Sequence, residues 1–174
     1  SNLDKSISFF EKVKTEKKIS IFSDYDVDGA CAAAICKKFL SQFDIEVNVY
    51  IPNRLNEGYG LNLEAIDKIL TFSQNILVLD CGSNNLKEQE YIINQGGQVM
   101  IIDHHECELF YDRAIVVNPK TPNDQSELDD LCATALTFLV LVYLKNENIF
   151  PNIDVLQFLD LVALATICDL VPLT

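Results

Sequence analysis

Along the chain, short aliphatic and β-branched runs alternate with longer stretches of helical periodicity. Lys18 to Ser23 (KISIFS) predicts a strand, Gly29 to Phe43 a helix, and Ile45 to Ile51 (IEVNVYI) a second strand closed by Pro52. The alternation repeats with a helix over Leu61 to Phe72, a strand over Ile76 to Asp80 (ILVLD), a helix over Leu86 to Asn94 and a strand over Val99 to Asp103 (VMIID). A short strand follows at Ile115 to Val117, then a polar, turn-rich segment after Pro119 (KTPNDQSELDD), then helices over Leu131 to Lys145 and Ile153 to Cys168. Strands apolar at nearly every position are buried on both faces, and strand-helix alternation joins parallel neighbours. The expected fold is α/β, a mostly parallel sheet of about five strands flanked by helices on both faces.

The chain has 174 residues, enough for one domain with one core. No apolar run reaches the roughly 18 residues needed to cross a bilayer, so no membrane association is expected. No basic segment followed by an apolar stretch and a small-residue cleavage site argues for secretion, and the expected location is cytoplasmic. The six cysteines, at 31, 36, 81, 107, 132 and 168, fall singly and mostly in apolar segments, without the paired spacing of a zinc site. They read as reduced core thiols. A net charge of -13 argues against a general nucleic-acid-binding surface, which is built from clustered Lys and Arg. A phosphate-bearing substrate would need local positive charge, and bound divalent cations supply it.

The segment Ser23-Asp24-Tyr25-Asp26-Val27-Asp28-Gly29 opens like a calcium-binding EF-hand loop. Such a loop needs a bidentate Glu at its twelfth position. Counted from Asp24 that position is Ile35, and Ala30 to Ile35 offers no side-chain oxygen, so calcium is excluded. The placement of the acids is more informative. Asp24 follows the first predicted strand, Asp80 ends the third and Asp103 ends the fourth. Parallel sheets bind ligands at the carboxyl ends of their strands, so three distant segments would deliver carboxylates to one rim. An Asp after a strand can also simply cap the next helix.

Both histidines, His104 and His105, directly follow Asp103. In extended backbone, neighbouring side chains point to opposite sides, so one histidine is expected to ligate and the other to do something else. Carboxylates with a minority of imidazole suit Mn²⁺ or Mg²⁺ better than zinc. Without cations such a cluster would repel itself into partial protonation. Two ions roughly 3.5 to 4 Å apart would satisfy this many ligands and form a phosphoryl-transfer site. Near the carboxy terminus, Asp160 and Asp169 fall on opposite faces of a continuous helix. Asp169, at the helix end, is the expected ligand. Asp160 is explained as a favourable charge near the helix amino terminus.

With these residues in view the sequence resembles the DHH phosphoesterase superfamily, and within it the RecJ-like branch of single-strand-specific exonucleases. Ser23 to Gly29 is similar to the family's first motif, Leu79-Asp80-Cys81-Gly82 to the second, Asp103-His104-His105 to the signature that names it, and Asp160 to Pro172 to the fourth. Ile51-Pro52-Asn53-Arg54, Glu57-Gly58-Tyr59-Gly60-Leu61 and Asn118-Pro119-Lys120 point to the branch. The resemblance implies a two-metal hydrolase, using Mn²⁺ or Mg²⁺, that degrades single-stranded DNA from its 5′ end in repair and recombination. It implies Asp26, Asp28, Asp80, His104 and Asp169 as metal ligands, with Asp80 bridging. By the same resemblance His105 lies beside the scissile phosphate, Asp103 orients a histidine, and Arg54 is chosen as a phosphate clamp because its planar fork matches phosphate oxygens.

The sequence departs from the family pattern in two places. Many members carry a metal-binding His where this chain has Phe22, so either Asp24 substitutes as a ligand or one metal position is weaker. Cys132-Ala133-Thr134 replaces small Ser and Gly residues. Residues 1–174 are expected to form the DHH catalytic domain, stopping before the DHH-associated carboxy-terminal domain that helps bind the strand. Two other functions fit the same residues less well: hydrolysis of short oligonucleotides, cyclic dinucleotides or pyrophosphate, and a non-catalytic replication scaffold.

Overall fold

The computed structural model describes residues 2–108, 112–122 and 124–173. Helix α1 (Asn2–Glu16) leads into β1 (Lys18–Ser23), α2 (Val27–Leu40), β2 (Glu46–Tyr50), α3 (Leu63–Leu70), β3 (Asn75–Leu79), α4 (Leu86–Asn94), β4 (Gln98–Ile102), β5 (Ile115–Val117), α5 (Ala133–Asn146) and α6 (Leu159–Cys168). The five strands form one sheet in the order β2-β1-β3-β4-β5, and every pairing is parallel. This is the expected α/β architecture.

Side chains alternate between faces as a pleated strand requires. Ile19, Ile21, Leu77, Leu79, Met100 and Ile102 join a core with α1, α2, α5 and α6, whereas Phe22, Ile76, Val78, Val99 and Ile101 pack with α3 and α4. Helices therefore cover both faces, and this explains the near-continuous apolar runs of β3 and β4.

Several elements differ from the expectation. No element is predicted before Lys18, yet α1 buries Phe9, Phe10 and Val13 against the sheet. The last helix is not continuous from Ile153, because a 3₁₀ turn over Val155–Phe158 precedes α6. Strands β3 and β4 end one residue early, at Leu79 and Ile102. The reason at β3 is that Asp80 adopts a left-handed backbone, φ 60°, which no strand continues through.

The register sets up the site. Ser23 pairs with Leu79, Leu79 with Ile102, and Ile102 with Val117. The next residue of each strand, Asp24, Asp80, Asp103 and Asn118, therefore stands in one row along the carboxyl edge. Backbone bonds carry the ladder into that row: Asp24 N–H to Leu79 O (3.2 Å), Asp80 N–H to Ile102 O (2.9 Å) and Asp103 N–H to Val117 O (3.1 Å). In this strand order the connections leaving β1 and β3 run in opposite directions, which opens a crevice between those strands. Asp24 and Asp80 flank it.

Candidate metal centre

The acidic loop after β1 is held tightly. Asp26 caps α2, its Oδ1 accepting the Gly29 amide at 2.9 Å. Gly29 is required by space, since a Cβ there would lie 2.5 Å from the carbonyl oxygen of Asp24. Asp28, in the first turn of α2, is buried, and its carboxylate accepts the amides of Ala133 (2.7 Å) and Thr134 (2.8 Å). Helix α5 has no side-chain cap of its own at Cys132. Asp28 thus supplies, from across the fold, the acceptor that the first amides of α5 need.

Asp80 sits between this loop and the histidines, buried, with both carboxylate oxygens making no hydrogen bond. His104 Nε2 lies 3.4 Å from Asp80 Oδ1, 3.6 Å from Asp169 Oδ2 and 3.9 Å from Asp28 Oδ2. Among the described residues six buried side-chain polar atoms lack partners, and four are here: both oxygens of Asp80, Asp24 Oδ1 and His104 Nε2. Such orphans are rare in folded proteins, and four together are acceptors that a cation could use. Ligand atoms of Asp24, Asp26 and Asp80 lie within 4.8 Å of one another, and so do those of Asp28, His104 and Asp169 and those of Asp80, His104 and His105. The donor set is mainly hard carboxylate oxygen with one or two imidazoles, which fits Mn²⁺ or Mg²⁺.

The electrostatics point the same way. Burial, then the nearby charges of Asp28 and Asp26, push the Asp80 carboxyl up to about 10. Burial also raises Asp24, where the charge of Asp26 adds to it against a backbone hydrogen bond that lowers it, and raises Asp169, where His104 partly compensates. Groups raised on folding contribute stability below their unfolded pKa and lose it as pH climbs towards the folded value. Metal-free protein is therefore expected to melt at progressively lower temperature as pH rises from about 4 towards 10, the window set by Asp80. Calorimetry in chelator checks this, and a pH-independent melting temperature would contradict it.

The Asp28 cap leads to a separate expectation. With Asp80 protonated at neutral pH in the absence of metal, removing the Asp28 charge relieves little repulsion but strips α5 of its cap. Asp28→Ala should cost about 1 to 2 kcal/mol, lowering the metal-free melting temperature by roughly 2 to 8 °C. Thermal unfolding in chelator measures it.

Asp103 is buried too, but its carboxylate is richly solvated by the protein. Oδ2 accepts the Ser83 amide (3.0 Å), and Oδ1 accepts the amides of His104 (2.8 Å) and His105 (3.2 Å) and faces His105 Nδ1 at 2.7 Å. Burial alone would raise its pKa, yet the bonds from His105 and Ser83 outweigh it and hold the carboxyl below the usual range. An ionised Asp103 accepts, so His105 Nδ1 carries the proton. In turn the hydrogen bond to Asp103 raises the His105 pKa, against partial burial. The histidine that Asp103 orients is therefore His105.

The two imidazoles do not diverge as an extended backbone would require. The strand has ended at Ile102, and the ring centroids are 4.7 Å apart, with both rings beside Asp80. Exposure separates them: the His104 side chain is 10% accessible and that of His105 45%. Tyr59 covers His105 edge-on, its hydroxyl 3.4 Å from the ring nitrogens. Gly58 and Gly60, φ 78° and 80°, allow the turn that brings Tyr59 there. Arg54 is exposed and lies over the ring of Tyr25 at 5.2 Å, on the rim beside the acidic loop. Phe22 is fully buried and stacks on Tyr50, so it faces the core, whereas Asp24 is in the site. Asp160 accepts the Leu161 amide in the first turn of α6 and belongs to none of the three ligand groups. Cys168 is exposed, the other five cysteines are buried, and none of the six forms a disulfide.

The pattern of residue types gave no sign of Tyr59 as a lid on His105, of the Asp28 cap, or of Ser83 and Asn118 behind Asp103. Only the position of Asn118 after an aliphatic strand hints at the rim.

The model of the DHH family, N-terminal domain, matches residues 18–166. The single-stranded-DNA-specific exonuclease RecJ of Thermus thermophilus is 32% identical over 163 residues, covering 94% of this chain and 24% of the relative. The Bacillus subtilis exonuclease of the same name is 34% identical, covering 94% of this chain and 20% of its own length. Among solved structures, exonuclease RecJ bound to manganese superposes with a TM-score of 0.87 at 30% identity, covering 99% of this chain and 44% of that one. The Mn²⁺ complex of Thermus thermophilus RecJ gives 0.80 at 26% identity, covering 99% and 24%. The chain thus spans about a quarter or less of the length of these two curated relatives. No helix among the described residues is long and apolar enough to cross a membrane.

Proposed function

Because the chain belongs to the DHH family, we propose that it is the metal-holding part of a phosphodiesterase that releases nucleotides from the 5′ end of single-stranded DNA. The observation that carries this reading is Asp80, a buried carboxylate with both oxygens unpartnered between two groups of ligands. Asp24 and Asp26 would hold one divalent cation and Asp28, His104 and Asp169 the other, with Asp80 shared. Bound there, Mn²⁺ or Mg²⁺ would make water nucleophilic and neutralise charge on the phosphate oxygens.

The remaining work falls to the protein's own groups. His105, fixed by Asp103 through Nδ1 and with its pKa raised by that bond, presents its other nitrogen to a non-bridging phosphate oxygen, to which it donates when protonated. Arg54, on the rim, offers a planar fork to an adjacent phosphate and keeps it in register. The extra length of the relatives and the charge of -13 support placing the strand-binding surface outside residues 1–174. Residues 1–174 by themselves are then expected to bind Mn²⁺ but to degrade long strands poorly. A cytoplasmic setting, with access to DNA, goes with this reading.

Calorimetric titration with Mn²⁺ and digestion of 5′- and 3′-labelled single strands by the longest available form test the proposal. Metal binding with 5′-terminal mononucleotide release is expected. Preference for dinucleotides or pyrophosphate would move the chain to the small-substrate reading, and absence of Mn²⁺ binding to the scaffold reading.

A further inference from the structure

We infer that Asn118 is a positioning residue for His105, an inference that rests on the reading above in which His105 faces the phosphate. Asn118 directly follows β5 and is the fourth member of the edge row, beside Asp103. It is buried, and its amide is fully used. Nδ2 donates to Ser83 Oγ and to the His105 carbonyl oxygen, both at 2.9 Å, while Oδ1 accepts the Lys120 amide at 2.9 Å.

These bonds close a ring. Asn118 holds the His105 backbone, Asp103 holds the His105 imidazole at 2.7 Å, Ser83 N–H holds the other oxygen of Asp103 at 3.0 Å, and Asn118 returns to Ser83. A side chain gripped at both its backbone and its ring has few rotamers left, so its free nitrogen points one way. Without Nδ2, the His105 carbonyl and Ser83 Oγ both lose their donor in a buried setting. The segment stays attached elsewhere, since Asn84 Nδ2 donates to the Glu106 carbonyl at 2.7 Å. The expected consequence is a misaimed histidine in a folded protein.

Asn118 could instead merely shape the turn through Lys120. Asn118→Asp, ionised in a sample held at high pH, separates the two roles, because it keeps the Oδ1 acceptor and removes the donors, whereas Asn118→Ala removes both. The chain has only two histidines, so ¹⁵N ring spectra of the metal-free protein report the His105 tautomer and its Nδ1–H directly. If Asn118 positions His105, both variants lose the slowly exchanging Nδ1–H signal. On a chromogenic thymidine phosphodiester both should show kcat reduced about 10- to 100-fold, with KM and Mn²⁺ affinity within about threefold of wild type. An Asn118→Asp protein with wild-type ring spectrum and kcat would overturn the inference. Should Asn118→Ala fail to fold, Asn118→Asp and Ser83→Ala, which breaks the same ring at another link, carry the test. If the wild type binds no Mn²⁺ and cleaves nothing, the functional reading has failed, and the ring spectra still decide whether Asn118 positions His105.

Discussion

Asp80→Asn is expected to abolish Mn²⁺ binding and to lower phosphodiesterase turnover by roughly three orders of magnitude, while raising the melting temperature of the metal-free protein. The two effects have one cause. Asp80 lies buried in a left-handed turn with neither oxygen hydrogen-bonded, close to Asp26, Asp28 and His104. Without cations, folding forces its carboxyl into the neutral form, shown by a pKa pushed up to about 10. At neutral pH the unfolded chain would leave that group ionised and solvated, so the folded state is penalised. Asparagine keeps the shape and removes the penalty, but it also removes the charge that two cations would share. Melting curves with chelator and with Mn²⁺, plotted for both proteins, test the pairing. A variant that still gained stability from Mn²⁺, or that melted earlier than wild type in chelator, would be incompatible with a bridging role.

His105→Ala should behave differently. A positioned group that hydrogen-bonds or protonates the reacting centre contributes typically 10² to 10⁴ in rate, so kcat should fall by about that factor. Mn²⁺ affinity should stay within about threefold, because the ring is 45% exposed, is committed to Asp103 through Nδ1, and lies at the edge of the cluster. His104→Ala gives the contrasting result: its Nε2 faces Asp80, Asp169 and Asp28 within 3.9 Å, so metal affinity itself should collapse. Parallel titration and single-turnover kinetics on the two variants distinguish them. Loss of all metal in His105→Ala, with metal retained in His104→Ala, would mean that the two roles are reversed.

Much of the sheet was legible because its strands are aliphatic runs that end abruptly in a polar residue, and β1 and β5 fall where the pattern puts them. Strand ends were less legible. Asp80 continues the apolar run of β3 on paper, but its φ of 60° turns the chain, and no periodicity encodes that angle. Helix α1 carries a helical pattern in Leu3, Ser6, Phe9, Phe10 and Val13, with the last four fully buried, but its charged residues mask the stripe. The histidine pair was legible as chemistry and misread as geometry, since the alternation rule holds only while the strand lasts. Nothing local announces that Asp28 caps a helix 105 residues away.

By itself, the sequence determined the chemical inventory and the sheet class: six acids and two histidines grouped in short motifs, on strands apolar enough to be parallel and buried. Residue type and local period fix these, since both are properties of neighbours in the chain. The tertiary structure decided what those groups became. Strand register set Asp24, Asp80, Asp103 and Asn118 in one row. Burial left Asp80 uncharged without metal, while hydrogen bonds from His105 and Ser83 kept the equally buried Asp103 charged, because a carboxyl's ionisation depends on the water, donors and charges around it in space, which chain order does not specify.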